Sequence, residues 1–364
     1  MTKTKLRIAI IYGGRSAEHE VSIRSAASVF AAMDRDKYSV TPIFVTRDGS
    51  WYAREEALGS FSPLECSQDG QRLILAPDPE YGGFLKLTGH NCFERFPIDV
   101  VFPVLHGTFG EDGTLQGLLD LADIPYVGCG TLASAVGMDK IIMKAVFMEC
   151  GLNVGPFSWF YRLEWKKDPE TIVNELRNRP LPLFVKPANL GSSVGISKVS
   201  DFSALEDAID QAAKYDRKIL VEDGIQGREI EVSVLGNEDA IVSVPGEIVS
   251  HSVFYNYEEK YLRDTAELAI PAKLTANEVA MAQQAALTAY RAVDGSGLAR
   301  VDMFLTPNDE VVVNEINTLP GFTSISMYPK LWESCGLAYN QLVDKLILLA
   351  LERYHDKNAI LIDR

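Results

Sequence analysis

One stretch, ARVDMFLTPNDEVVVNEINTLPG from Ala299 to Gly321, constrains this chain more than any other. Two strand-like runs flank a Pro-Asn-Asp turn, and both carry ionisable side chains where an ordinary core strand carries none. Strand side chains alternate between faces, so Arg300 and Asp302 share one face of the first run. Glu315 and Asn317 share a face of the second in the same way. A hairpin would bring a cation, two carboxylates and an amide together over a floor of Val and Ile. Burying those acids unpaired would cost about several kcal/mol each, so something positive must sit among them. Two candidates stand: a hard divalent metal carrying phosphate oxygens, or a structural network of ion pairs.

At 364 residues the chain exceeds one ordinary core and is expected to divide into two or three domains. Its 47% hydrophobic and 23% charged residues are those of a globular protein in water. A net charge of −15 argues against nucleic-acid or anionic-membrane partners, which demand clustered cations. A phosphorylated small molecule stays possible, because a local pocket of Lys and Arg suffices. Cys66, Cys92, Cys129, Cys150 and Cys335 are scattered and lack metal-site spacing, which fits free thiols in a reducing cytoplasm. The opening MTKTKLRIAIIYGG is interrupted by Arg7 and runs at once into Gly-Gly, so a first strand fits it better than a signal peptide. No apolar run reaches the length of a membrane span.

Leu6 to Tyr12 reads as a buried strand ending at glycines, followed by the loop GGRSAEHEVS, a helix over Val21 to Met33 and a strand over Val40 to Val45. Residues 48–96 are rich in turn pairs and read as β-hairpins or an insertion. The α/β pattern resumes at Ile98 to Leu105, then the glycine-rich HGTFGEDG and a helix near Leu115 to Ala122. Strands alternating with helices predict an open, mostly parallel sheet, with ligands beyond the carboxyl ends of its strands. Gly13, Gly14 and His106 occupy such ends. Small residues from Gly128 to Met138 suggest a boundary. A second unit opens with a helix near Asp139 to Met148. A third contains EIEVSVLG, AIVSVPGEIV and the aromatic, charged SVFYNYEEKYLRD, then a helix over Glu278 to Val293 with Asn277 as N-cap.

KPANLGSSVG, Lys186 to Gly195, is built of small residues whose backbone N–H groups can cradle phosphate oxygens, with Ser192 and Ser193 adding donors. It is not a Walker A loop, which opens a helix; here the chain returns into a strand, so the loop would cover a nucleotide as a flap. A flexible hairpin is the bland alternative. Lys186 can supply charge to the same phosphates. Lys140, in GMDK, is a second candidate, although a helix-start lysine is commonly solvated. Glu222, ending KILVE, could accept from an adenine amino group or lie at a strand end in solvent. Glu229, in GREIE, could bind ribose hydroxyls.

Taken in order, a lysine-ended strand, a Gly-Ser flap, a hinge glutamate, then RVD and NEIN before a glycine resemble the ATP-grasp ligases. GGRSAEHEVS, HGTFGEDGTLQG, GMDK, VKPANLGSSVG, EEKYLRD, ARVDMFL and NEINTLPGFTSISMYP closely resemble the D-alanine–D-alanine ligases, from about Arg7 to Glu352. The resemblance implies an α/β chain: a Rossmann-like domain over 1–128 with an insertion near 48–96, then an ATP-grasp fold with a central lobe over 129–225 and a C-terminal lobe over 226–364. It implies ATP-dependent ligation of two D-alanines through an acylphosphate, by a cytoplasmic homodimer supplying peptidoglycan synthesis.

The same resemblance implies the site. Asp302, Glu315 and Asn317 match ligands of Mg²⁺ or Mn²⁺, two ions being expected; Arg300 and the Gly321 N–H match the oxyanion stabilisers. Glu18 matches the carboxylate that holds the first substrate's ammonium, where the residue alone would read as a helix-start acid. His106 would help place that substrate, or be a satisfied structural histidine. Ser326, with Met327 nearby, matches the seat of the second substrate's carboxylate. Ser192 and Tyr261 match a hydrogen-bonded pair that closes the flap on the aromatic loop, and Lys260 would reach the transferred phosphate. Relatives that form D-alanyl-D-lactate generally replace this tyrosine, so Tyr261 favours an amide product and leaves D-serine open. Asp223 stands where some relatives carry lysine.

Overall fold

The computed structural model describes residues 4–53, 70–89, 92–249, 267–323 and 325–361. Three sheets organise these residues. The first runs in the order β6-β5-β4-β3-β2-β1-β7. Its parallel part is β1 (Leu6–Gly13) between β2 (Tyr38–Val45) and β7 (Val100–Pro103). The turn-rich segment does form antiparallel strands, but they extend this sheet instead of standing apart. They are β3 (Trp51–Ala53), β4 (Gln71–Leu75), β5 (Gly83–Gly89) and β6 (Cys92–Pro97). Helix α1 (His19–Ala32) covers one face of the sheet and α2 (Thr114–Leu121) packs with the core on the other.

Residues 128–138, where a boundary is expected, are mostly helical. Their small side chains form a helix, α3 (Thr131–Met138), whose close approach to its neighbours depends on those residues: a Cβ on Gly137 would lie 3.0 Å from Thr318. The next helix, α4 (Lys140–Glu149), is capped by Asp139, which accepts from the N–H groups of Ile141 and Ile142.

The second sheet has the order β10-β9-β11-β8, formed by β8 (Phe157–Tyr161), β9 (Leu183–Pro187), β10 (Ser197–Val199) and β11 (Lys218–Asp223). Three helices accompany it: α5 (Arg162–Lys167), α6 (Pro169–Leu176) and α7 (Leu205–Tyr215). Val173, Leu176, Ile209 and Ala212 bury their apolar stripes against Leu183, Val185 and Val221. The Gly-Ser flap is the connection from β9 to β10, as the strand-loop-strand pattern predicts.

The third sheet contains β12 (Arg228–Gly236), β13 (Ile241–Val242), β14 (Gly246–Val249), β15 (Glu267–Ala269), β16 (Gly297–Leu305) and β17 (Val311–Asn317). Pro245 lies between β13 and β14, where a missing N–H interrupts the ladder. Helix α8 (Ala276–Ala292) lays Ala282, Ala286 and Tyr290 on this sheet. Its N-cap is Thr275 and not Asn277: the Thr275 hydroxyl accepts from the N–H of Glu278, whose carboxylate accepts from the N–H of Thr275. Finally α9 (Met327–Ser334) and α10 (Tyr339–Asn358) return to the first sheet, where Leu342 and Leu346 share a core with Ile8, Ile10 and Phe102. No helix among the described residues is long and apolar enough to cross a membrane.

Candidate active site

The three sheets meet at a cleft of about 580 Å³. Its floor is the β16–β17 hairpin, where Arg300 pairs in register with Asn317 and Asp302 with Glu315. Between Asp302 and Met303 the register shifts by one residue, so Asn314 is extra on β17. Such a bulge re-aims the side chains beside it, and here those are the two acids. Arg300 grips Asp302 with two bonds of 2.7 Å and meets Glu231, on β12, at 3.0 Å. Asn317 donates its amide to Asp302 at 3.0 Å, and Lys140 pairs with Glu315 at 3.2 Å. Each acid therefore has a protein cation beside it, although Arg300 is shared between Asp302 and Glu231.

Those pairings are also the test of whether a metal fits. The donor set is oxygen only: two carboxylates, plus an amide whose rotation would present its oxygen. That is the chemistry of a hard divalent ion which keeps positions for phosphate. The residues fit.

Lysines line the wall opposite. Lys140 begins α4 and also donates to the carbonyl of Leu190 in the flap, at 2.9 Å. Lys186 ends β9 and pairs with Glu222 at 2.5 Å. The other Glu222 oxygen meets Lys144 at 2.7 Å. Burial would raise the Glu222 carboxyl, but the two ammonium groups overcome it and hold it down to about 2. Burial also opposes the charge on both lysines. It prevails at Lys144, whose affinity for its proton falls. At Lys186 the carboxylates of Glu222, Glu315 and Glu229 prevail and the affinity rises. Glu222 thus serves as a buried counter-ion, not as a solvated strand end, while still lining the cleft beside Glu229. Asp223 pairs with Arg179 at 2.8 Å, an ion pair that stands apart from the lysine cluster.

At the far end, the loop after β1 brings in Glu18. It occupies the N-cap position of α1, but its side chain makes no capping bond there. Instead the carboxylate accepts the hydroxyl of Ser192 from the flap. Glycines make room for it: a Cβ on Gly107 or Gly191 would lie 2.6 or 3.1 Å from its Oε2. Ser192 and Ser193 both hold left-handed backbone, uncommon outside glycine.

His106 is 4% exposed. Its ring meets the Ser25 hydroxyl at 3.1 Å and Glu111 at 3.4 Å. Burial disfavours its charge, yet the nearby Glu111 and Glu18 carboxylates outweigh that and raise its pKa. Ser25 also accepts from the N–H of Phe322, tying this loop to Gly321. A Cβ on Gly321 would lie 3.1 Å from the Ser326 hydroxyl, which is bonded to Thr323. Gly321 lines the cleft; Ser326 stands behind it as the N-cap residue of α9, and Met327 is buried against Gly246.

The structure therefore gathers Glu18, His106, Lys140, Lys186, Ser192, Ser193, Glu222, Glu229, Arg300, Asp302, Glu315, Asn317 and Gly321 around one cleft. Lys260 and Tyr261 lie outside the described residues. Sequence reasoning missed three groups: Lys144, Glu231 and Glu111. The first two carried a signal. Lys144 lies four residues after Lys140 on one helix face, and Glu231 shares a strand face with Glu229.

Comparison with known proteins gives the family. Residues 7–129 match the family described as D-ala D-ala ligase N-terminus, and residues 146–348 the one described as D-ala D-ala ligase C-terminus. The D-alanine–D-alanine ligase of Heliobacterium modesticaldum is 50% identical over 97% of this chain and 96% of its own length. That of Bacillus cytotoxicus is 46% identical over 98% and 99%. Among solved structures, the VanG D-Ala:D-Ser ligase of Enterococcus faecalis superposes with a TM-score of 0.86 at 40% identity, over 95% of this chain and all of that one. The D-alanine–D-alanine ligase of Coxiella burnetii gives 0.86 at 37% identity, over 98% and 97%. The architecture is the ATP-grasp fold of these enzymes. On full-length likeness at this level, the chain belongs to the D-alanine–D-alanine ligase family.

Proposed function

We propose that the chain joins two D-alanines with cleavage of ATP, giving D-alanyl-D-alanine, ADP and phosphate for peptidoglycan synthesis. A carboxylate oxygen of the first D-alanine attacks the terminal phosphorus of ATP, and ADP leaves. The amine of the second D-alanine, once deprotonated, attacks the acyl carbon of the resulting D-alanyl phosphate. The tetrahedral oxyanion then collapses, and phosphate departs as the peptide bond forms.

Each role rests on what a side chain can do. Glu18 accepts the ammonium of the first D-alanine, and His106 helps to seat it. Lys140, Lys186 and the flap with Ser192 and Ser193 hold phosphates, Lys260 reaches the transferred one, and Glu222 and Glu229 meet the nucleoside. Arg300 and the Gly321 N–H face the oxyanion, donors fixed in advance where charge develops. Glu231 remains to orient the guanidinium whenever Asp302 is otherwise engaged. Ser326, at a helix N-terminus beside Met327, receives the carboxylate of the second D-alanine. Ser192 with Tyr261 closes the site, which protects the acylphosphate from water. Asp302, Glu315 and Asn317 hold the divalent ions, two Mg²⁺ or Mn²⁺, which neutralise phosphate charge. We take the enzyme to be a cytoplasmic homodimer.

The observation that carries this reading is the convergence in one cleft of the Glu18 carboxylate, the two phosphate-type lysines and the Arg300–Asp302–Glu315 platform. The likeness to a D-Ala:D-Ser ligase at 40% identity favours one competitor, with D-serine as second substrate. Phosphate release from ATP with D-alanine, L-alanine, D-serine or D-lactate, followed by product identification, separates the readings. Mainly D-alanyl-D-alanine is expected from competing second substrates. A predominance of D-alanyl-D-serine or of an ester would overturn the choice, and no phosphate release with D-alanine would overturn the ligase itself.

A further inference from the structure

Lys140 and Lys144 sit one turn apart on α4 and so share a face. Lys140 reaches the cleft. Lys144 is 1% exposed and stops behind Glu222, donating to the carbonyl of Val154 at 3.1 Å and pairing with Glu222 at 2.7 Å. The far oxygen of Glu222 meets Lys186 at 2.5 Å, and it is Glu222 and Lys186 that line the cleft. One carboxylate between two ammonium groups leaves the trio with a net positive charge. A Glu222–Lys186 pair alone would be neutral. Its carboxylate would then cancel the pull of Lys186 on an incoming phosphate and draw the ammonium back toward the strand.

We propose that Lys144 is a positioning residue for nucleotide binding: it neutralises Glu222 from the buried side, so that Lys186 keeps its place and its net charge toward the phosphates. This rests on the reading that the cleft takes ATP. The geometry also explains why an ammonium is buried at all. A charge at that depth is costly unless it is paired and hydrogen-bonded, and Lys144 has both the carboxylate and the Val154 carbonyl. In the low dielectric of the interior its influence on Glu222 is stronger than a surface lysine would exert.

The test is equilibrium binding of ATP with Mg²⁺ by calorimetry, beside thermal unfolding, for wild type, Lys144→Met, Lys144→Arg, Glu222→Gln and the double variant K144M/E222Q. Lys144→Met should weaken ATP binding by about 10–100-fold, by analogy with removal of the outer partner of a metal ligand. Lys144→Arg should largely restore it. The cost of Lys144→Met should vanish in the Glu222→Gln background, because no carboxylate is left to cancel Lys186. If Lys144→Met lowers the melting temperature but binds ATP like wild type, the lysine is structural only and the proposal fails. It fails equally if the loss persists beside Gln at 222. Should Lys144→Met not fold, the double variant is compared with Glu222→Gln instead: equal ATP affinities support the proposal, and a weaker double variant overturns it. A wild-type protein that binds no ATP would instead sink the reading of the cleft.

Discussion

Glu222 and Glu315 each meet a lysine from the same helix, yet the two ion pairs are built differently. Glu222 has both oxygens taken, by Lys144 and Lys186, and its side chain is 10% exposed. Glu315 is 24% exposed, and its partner Lys140 also holds the flap through Leu190. The acids and cations of the hairpin can trade their present partners for a metal and phosphates, because both would arrive through the cleft. Of the two lysines on Glu222 only Lys186 faces the cleft; the Glu222–Lys144 pair cannot trade so easily, since Lys144 is walled off from it. An exchangeable cluster suits chemistry, and a fixed one suits scaffolding and background charge.

The contrast can be broken most readily at Arg300. Arg300→Ala should lower kcat by about 10²–10³-fold, the usual cost of an oxyanion donor, with ATP affinity nearly unchanged. A variant of normal kcat would end the oxyanion assignment and return the hairpin to a structural network. A smaller effect is expected at Glu315. Glu315→Gln should raise the Mg²⁺ concentration needed for half-maximal activity by about tenfold or more. A titration overlapping that of wild type would show the Glu315–Lys140 pair to be as fixed as the other.

Acid separates the two clusters by stability instead of rate. The folded Glu222 carboxyl, held down to about 2, lies below its ordinary value of 4.5. Its contribution is therefore fully present above pH 4.5 and is lost as pH falls from there toward 2. Thermal unfolding across that window should show a steeper loss for wild type than for Glu222→Gln; parallel curves would count against the buried counter-ion. The least effect belongs to a surface pair. Arg47 meets Glu20 at 2.9 Å with both side chains more than half exposed, so Arg47→Ala should leave melting temperature and kcat unchanged. A measurable drop there would mean that exposure is a poor guide to which ion pairs matter in this protein.

Much of the fold was legible because local patterns and tertiary packing agree. The apolar run Leu6 to Tyr12 became β1, and the described parts of the turn-rich segment became strands. Misreadings occurred where two residues compete for one local role. Thr275 and Asn277 are both good caps, and only the reciprocal bond with Glu278 decides between them. The small residues at 128–138 suggest only a boundary; that they form a tightly packed helix rests on the proximity of Thr318 to Gly137, a long-range contact invisible to a window of sequence.

The site divides along the same line. Alternation within a strand, an invariant of backbone geometry, placed Arg300 with Asp302 and Glu315 with Asn317 from the sequence alone. The longer motifs added the family and hence the substrates. Periodicity could not say that Asp302 stands opposite Glu315 across a bulge at Asn314, because register depends on both strands at once. Nor could it find that Lys144 lies behind Glu222, that Glu231 braces Arg300, or that Ser192 reaches Glu18. Those pairings join residues from 69 to 174 positions apart. They exist only where packed sheets exclude water and an unpartnered charge would be costly, so tertiary structure decides which cation answers which acid.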